Sequence, residues 1–196
     1  ERLVKAVATA LHGAPVLPLR DVHAPDAEPT PTDVSGPWPV VTVTDAVSRA
    51  VGREISIRTD FEVLLQAAAA HDVEIGPGMG PGAVLEALYE ELVEPLTVFP
   101  TFYCDFPEET SPLTAPHRSE PGLVERWDLV VNGMELGTAY SELTDPVVQR
   151  HRLTEQSLKA TAGDPEAMEV DDDFLDALEV GMPPAGGLGI GLDRLV

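Results

Sequence analysis

The sequence predicts an α+β domain in which an antiparallel sheet is flanked by helices. Three observations point there. Apolar residues at helical spacing dominate the stretch before residue 98, two strand-like runs meet at Asn132-Gly133, and the glycine block Gly186 to Gly191 leads through Arg194 into an apolar run. With 196 residues, 43% of them hydrophobic, and a mean hydropathy of zero, the chain is long enough for one domain with a real core. It divides into a helical and proline-rich region, 1–98, and a region of hairpin, helix and glycine block, 99–196.

Residues 1–12 place Leu3, Val4, Val7 and Leu11 on one helical face, and Gly13 is a natural stop. Gly13 to Pro39 is proline-rich without a sustained period, which reads as a surface loop or an irregular strand. Val40 to Val43 is β-branched and extended, and Thr44 or Asp45 then caps a short helix through Ala50. Alanine and leucine from Asp60 to His71 predict another helix. Gly76 to Gly82 holds four glycines and two prolines; it reads as a connection, because the prolines delete donors that a phosphate-cradling loop would need. A helix from Pro81 to Leu92 turns Val84, Leu85, Leu88 and Leu92 inward and Glu86, Glu90 and Glu91 outward.

After Pro95 the run LTVFPTFYCDFP is extended, followed by the polar loop SPLTAPHRSEPG. Strands from Glu125 to Val131 and from Met134 to Tyr140 are joined by Asn132-Gly133, both tolerant of positive φ. Asp145-Pro146 caps and opens a long helix that runs to about Ala162, before Gly163. An acidic segment, Asp171 to Glu179, leads to the glycine block, and no internal repeat is visible.

Composition narrows the function classes. A net charge of −22 disfavours a large nucleic-acid footprint on this segment, although it is compatible with a tRNA end held mainly by another domain. One cysteine excludes an internal disulfide and suits a reducing compartment. Among Phe102, Tyr103 and Phe106, Cys104 reads as a packed thiol, not a nucleophile. Histidines at 12, 23, 71, 117 and 151 lack zinc-ligand spacing with cysteine. No apolar run approaches the roughly 20 residues of a membrane span, and no export signal opens the chain, so a cytoplasmic location is expected. The start at Glu1 and the end at Val196, inside an apolar run, lead us to expect a fragment.

Two constellations carry chemistry. Taken alone, Gly186, Gly187, Gly189 and Gly191 fit either a tight strand-to-helix turn with Arg194 solvated, or a backbone that lets a ligand approach beside a phosphate-matching guanidinium. On the hairpin, the two-residue turn sets Val131 opposite Met134, Val130 opposite Glu135 and Asp128 opposite Gly137. Asp128 and Glu135 are then diagonal, roughly 7 Å apart, either as a solvated strand face or as two carboxylates for one hydrated Mg²⁺ carrying ATP phosphates. Thr138, Tyr140 and Glu142 lie within reach, but a flat strand cannot turn them to the same face as Glu135. A bulge near Gly137 is therefore expected.

Read together, PTFYCDFPEETSPL, ERWDLVVNGMELGTAYSELTDPVVQRHRL and GGLGIGLDRLV resemble the second half of a class II lysyl-tRNA synthetase catalytic domain, the last block matching motif 3 of that class. GTAYSELTDP and the tail from Gly163 to Arg194 resemble in particular the actinobacterial type found fused to a membrane lysylphosphatidylglycerol synthase. The likeness is continuous from about Phe99 and weaker before it. It implies that Asp128 and Glu135 bind magnesium beside ATP, that Glu142 holds the ε-ammonium of lysine, and that Tyr140 lines its aliphatic stem. It further implies that Gly189 sits against the amino acid and that Arg194 clamps the ATP γ-phosphate and the leaving pyrophosphate. Thr138 stands where asparagine is frequent, so a hydrogen bond to substrate is lost or passes through water.

Nothing in the chain resembles motifs 1 and 2 or an anticodon-binding barrel, so the chain alone is expected to be inactive and the sheet incomplete. The parent implied by the resemblance is a homodimeric, ATP-dependent lysine–tRNA ligase, in the cytoplasm or tethered to the inner face of the membrane. It would serve translation or a lipid-modifying domain. A non-catalytic sensing or scaffold module and a short homologue that aminoacylates a protein are the alternatives.

Overall fold

The computed structural model describes residues 1–24, 26–161 and 168–195. Helix α1 (Arg2–His12) ends at Gly13 as expected, but its apolar face is narrower: Val4 and Ala8 are buried while Leu3 and Leu11 stay exposed. The proline-rich stretch is not all loop. It contains β1 (Val16–Leu19) and β2 (Thr30–Asp33), an antiparallel ribbon with Pro18 opposite Pro31. A two-stranded ribbon tolerates both prolines because each strand has an edge that needs no donors.

Strand β3 (Val40–Thr42) runs directly into α2 (Val43–Val51). Thr42, not Thr44 or Asp45, is the cap, its hydroxyl accepting from the Asp45 amide at 3.1 Å. Starting the helix at Val43 buries that side chain completely. Next come α3 (Phe61–Ala70), α4 (Pro81–Leu92) and a 3₁₀ turn at Glu94–Leu96, which delays β4 (Thr101–Pro107) beyond the start expected for it. β5 (Leu123–Val131), β6 (Met134–Ser141), α5 (Pro146–Thr161), α6 (Asp172–Val180), β7 (Gly186–Ile190) and α7 (Leu192–Leu195) complete the chain. Asp145 caps α5 through bonds from the Val147 and Val148 amides; the end expected for that helix, Ala162-Gly163, lies outside the described residues.

The main sheet has the order β3-β4-β5-β6-β7. Three of its pairings are antiparallel, but β3 is parallel to β4, so the sheet is mixed at one edge where an antiparallel one was expected. Parallel neighbours need a crossover, and α2, α3 and α4 supply it. Those helices pack on one sheet face through Val47, Leu64, Leu85, Leu88 and Tyr89 against Tyr103, Phe106, Val124 and Val130. On the other face Val4, Val34 and Trp38 pack against Leu129 and Leu136. Full burial of each such side chain is worth about 1.5–3 kcal/mol, so the two clusters hold the sheet from both sides.

The hairpin turns at Asn132 and Gly133, with φ of 56° and 75°. Val131 pairs with Met134 and Val130 with Glu135, and then the register shifts: Leu129 pairs with Gly137 and Asp128 with Thr138, not with Gly137. Leu136 is the extra residue of the bulge. Gly137 lets β7 approach β6 closely, because a Cβ there would stand 2.6 Å from the Gly189 carbonyl oxygen of β7. Gly137→Ala is accordingly expected to cost about 1–3 kcal/mol by forcing β6 and β7 apart. An unchanged urea midpoint would show that the strands can separate freely.

Candidate active site

The bulge decides which side chains meet. Paired residues share a face, and neighbours along a strand alternate. The register therefore builds one row from Tyr103, Asp128, Thr138 and Gly189, and a second from Arg126, Tyr140 and Gly187. Glu135, paired with Val130, lies on this same face, and Glu142 follows Tyr140 by two residues. A parity conflict in the sequence is thus resolved by one inserted residue. From Glu135 to Glu142 the row covers about 20 Å at some 3.3 Å per residue, enough for an amino acid and a nucleotide end to end.

Arg126 organises the middle of the face. Its Nε donates to Asp128 Oδ1 at 3.1 Å and its Nη2 to Asp128 Oδ2 at 2.7 Å, a two-point contact. Its Nη1 donates to Glu86 Oε1 at 3.0 Å and to Ser111 Oγ at 3.3 Å, and its guanidinium lies 4.0 Å from the Phe106 ring centroid. Thr138 donates its hydroxyl proton to Asp128 Oδ1. Burial works against the charge on Arg126, but Asp128 and Glu86 outweigh it and hold the guanidinium protonated. Burial raises the Glu86 carboxyl above the usual carboxylate range, against the pull of Arg126. Glu86 was expected to face outward; it is buried because α4 is covered on nearly its whole circumference and Arg126 supplies a counter-charge.

At the hairpin end the sheet gathers negative charge. Burial first, then Asp128, raises the Glu135 carboxyl; burial likewise raises Glu94, which accepts from the Glu135 amide. Such a donor set suits a cation, but only part of it is open. Asp128 is 3% exposed and hydrogen-bonded by Arg126 and Thr138, so of the two carboxylates expected to bind magnesium Glu135 is the more open and Asp128 the more firmly held. Among the described residues no group of three or more His, Cys, Asp or Glu side chains is placed to hold a metal.

The raised carboxyls carry a prediction. A native pKa above the ordinary 4.5 means that the folded chain binds the proton more tightly than the unfolded one; that share of stability is full below pH 4.5 and is lost as pH rises through the native pKa. Glu135→Gln should therefore narrow the difference in urea midpoint between pH 4.5 and pH 7. A difference as wide as in the unaltered chain would mean that burial and the acidic neighbours do not hold the Glu135 carboxyl up.

Arg194, on α7, reaches the same end of the sheet, where its Nη1 donates to the Glu135 carbonyl. At the other end, Glu142 is partly buried and its carboxylate lies where a Cβ on Gly187 would sit. Its backbone is held by a bond from its amide to the Ala185 carbonyl at 2.9 Å and by a bridge to Thr114. Thus Glu135 and Arg194 stand at one end, Tyr140 and Glu142 at the other, with Thr138 and Gly189 facing each other between them.

Cys104 belongs to the opposite face, in the row with Trp127 and Ala139 that lines a cleft of about 510 Å³. Burial and Asp105 push its thiol up to about 11, as suits a packed side chain rather than a nucleophile. The site contains three groups that pattern reading passed over: Arg126, Glu86 and Glu94. Only Arg126 left a signal, its place two residues before Asp128 on one strand face.

The family described as tRNA synthetases class II (D, K and N) matches residues 1–196. The lysylphosphatidylglycerol biosynthesis bifunctional protein LysX of Mycobacterium marinum is 56% identical over 194 residues, 99% of this chain and 17% of that protein. LysX of Mycobacterium leprae is 59% identical over 166 residues, 85% of this chain and 15% of that protein. LysX of Mycobacterium tuberculosis is 54% identical over 199 residues, covering 99% and 17%. The chain thus spans about a sixth of the length of these relatives.

Proposed function

The chain belongs to the class II tRNA synthetases (D, K and N), and from that premise we propose that it forms part of an ATP-dependent ligase that activates lysine and transfers it to tRNA. One observation carries the choice of amino acid: Glu142 stands at the far end of the row from Arg194, its carboxylate folded over Gly187. A carboxylate lying over a strand glycine, which has no side chain of its own to crowd a ligand, suits a side-chain ammonium. Tyr140 would line the aliphatic stem, Gly189 would let the amino acid lie close to the sheet, and Thr138 would act through Asp128 instead of touching substrate.

ATP would enter as its magnesium complex with its phosphates toward Glu135 and Arg194. The lysine carboxylate oxygen attacks the α-phosphorus, the bond from that phosphorus to the bridging oxygen breaks, and pyrophosphate leaves. Arg194 would exchange the Glu135 carbonyl for the departing phosphates. Catalysis of this kind is positioning and charge neutralisation, without a protein nucleophile. The names of the relatives favour lysylphosphatidylglycerol biosynthesis as the destination of the lysyl group.

The test is amino-acid-dependent ATP–pyrophosphate exchange by the full-length protein, with ornithine and arginine beside lysine. Exchange selective for lysine supports the reading, and none would leave a sensing or scaffold module. Gly187→Ala should weaken the response to lysine with little change in urea midpoint, since only the flexible end of Glu142 must move. An unaltered KM for lysine would place the ammonium elsewhere.

A further inference from the structure

We infer that Arg152, on α5, is a positioning residue for the amino-acid end of the site, holding Glu142 in place through the Ser111–Thr114 loop; this rests on the reading of Glu142 as the ammonium partner. Arg152 is 5% exposed. Its Nη1 donates to the Thr114 carbonyl at 2.6 Å and the Ser111 carbonyl at 3.4 Å, and its Nη2 pairs with Glu108 at 2.6 Å. One turn earlier Gln149, 1% exposed, donates through Nε2 to the Pro112 carbonyl at 3.0 Å. Two successive turns of α5 thus grip three carbonyls of one loop.

That loop grips the end of β6. Thr114 is bridged to Glu142, the Ala115 amide donates to the Ser141 carbonyl at 2.8 Å, and the Leu143 amide donates to the Leu113 carbonyl at 2.9 Å. Glu142 and both its chain neighbours are therefore fixed from the side that Arg152 anchors. Packing alone does not explain the choice of residues. Arg152 Nε and Gln149 Oε1 are buried without a hydrogen-bond partner among the described residues, a cost that an apolar pair of similar volume would avoid. A planar fork fixes carbonyls in direction as well as distance, which an aliphatic side chain cannot do. Direction matters here, because a carboxylate displaced by 1 Å from its substrate charge loses much of its effect.

The test uses the full-length protein and steady-state ATP–pyrophosphate exchange. Arg152→Lys keeps the charge but cannot reach Thr114, Ser111 and Glu108 together. It is expected to raise the KM for lysine about tenfold, with the KM for ATP and kcat nearly unchanged, and to narrow the preference for lysine over ornithine. Glu108→Gln, at a partly exposed position, is the milder variant should Arg152→Lys fail to fold; a smaller rise confined to lysine is expected. An unchanged KM for lysine in a folded variant would overturn the positioning role, as would equal rises for lysine and ATP. Exchange by the unaltered protein with insensitive variants overturns only this role. Absence of lysine-dependent exchange in the unaltered protein overturns the reading of the site and this role with it.

Discussion

Glu142→Gln in the full-length protein is expected to raise the KM for lysine about 10- to 100-fold, while the KM for ATP stays nearly unchanged. Glutamine keeps the shape and one acceptor oxygen but removes the charge. A hydrogen bond to a charged group is worth about 1.5–3 kcal/mol, and every 1.4 kcal/mol is tenfold in affinity, which sets the range. The split between the two substrates is the informative part. Glu142 lies over Gly187, while the proposed phosphate end lies at the start of β6, where Arg194 of α7 meets Glu135. A matching loss for ATP would mean that Glu142 supports the sheet and not the amino acid.

The second large effect falls on stability. Arg126→Met should cost about 3–5 kcal/mol, the range for breaking a buried ion pair from one side, because Asp128 and Glu86 are left buried without their shared counter-charge. The methionine fills the space beside Phe106, so the loss reports charge more than volume. Its pH dependence follows from Glu86, whose carboxyl burial already holds above its ordinary 4.5. Protonation relieves an unpaired carboxylate, so the deficit should be full at pH 7 and shrink as pH falls toward 4.5. Glu86→Gln added to Arg126→Met should recover part of it. Urea unfolding of the four proteins in a double-mutant cycle reads this directly, and additive losses would deny the coupling.

Much of this arrangement is legible in the residues. Gly13 and Asp145-Pro146 mark helix boundaries, and Asn132-Gly133 marks the hairpin, because each meets a backbone requirement that few residues satisfy locally. Even the bulge can be read, since Glu135 and the set Thr138, Tyr140 and Glu142 share a face only if one residue is inserted; Leu136 is that residue. What escapes is long-range. The parallel partner of β3 lies some 60 residues away across three helices, and no local pattern names it. Glu86 looks solvent-facing by period alone, and it turns inward only because Arg126 on β5 awaits it. Asp128 reads as one of two open carboxylates, and its firm hold by that same arginine on its own strand shows only in the structure.

The proposed site has two ends on the Asp128 face of the sheet, with the amino acid toward Glu142 and the phosphates toward Arg194. A structure of the full-length protein with a non-hydrolysable lysyl-adenylate analogue tests it most directly. The ε-ammonium should lie about 3 Å from the Glu142 carboxylate, with the adenylate extending along Thr138 and Gly189 toward Glu135. An analogue seated in the cleft on the Trp127 face, or one whose ammonium avoids Glu142, would place the amino-acid site elsewhere.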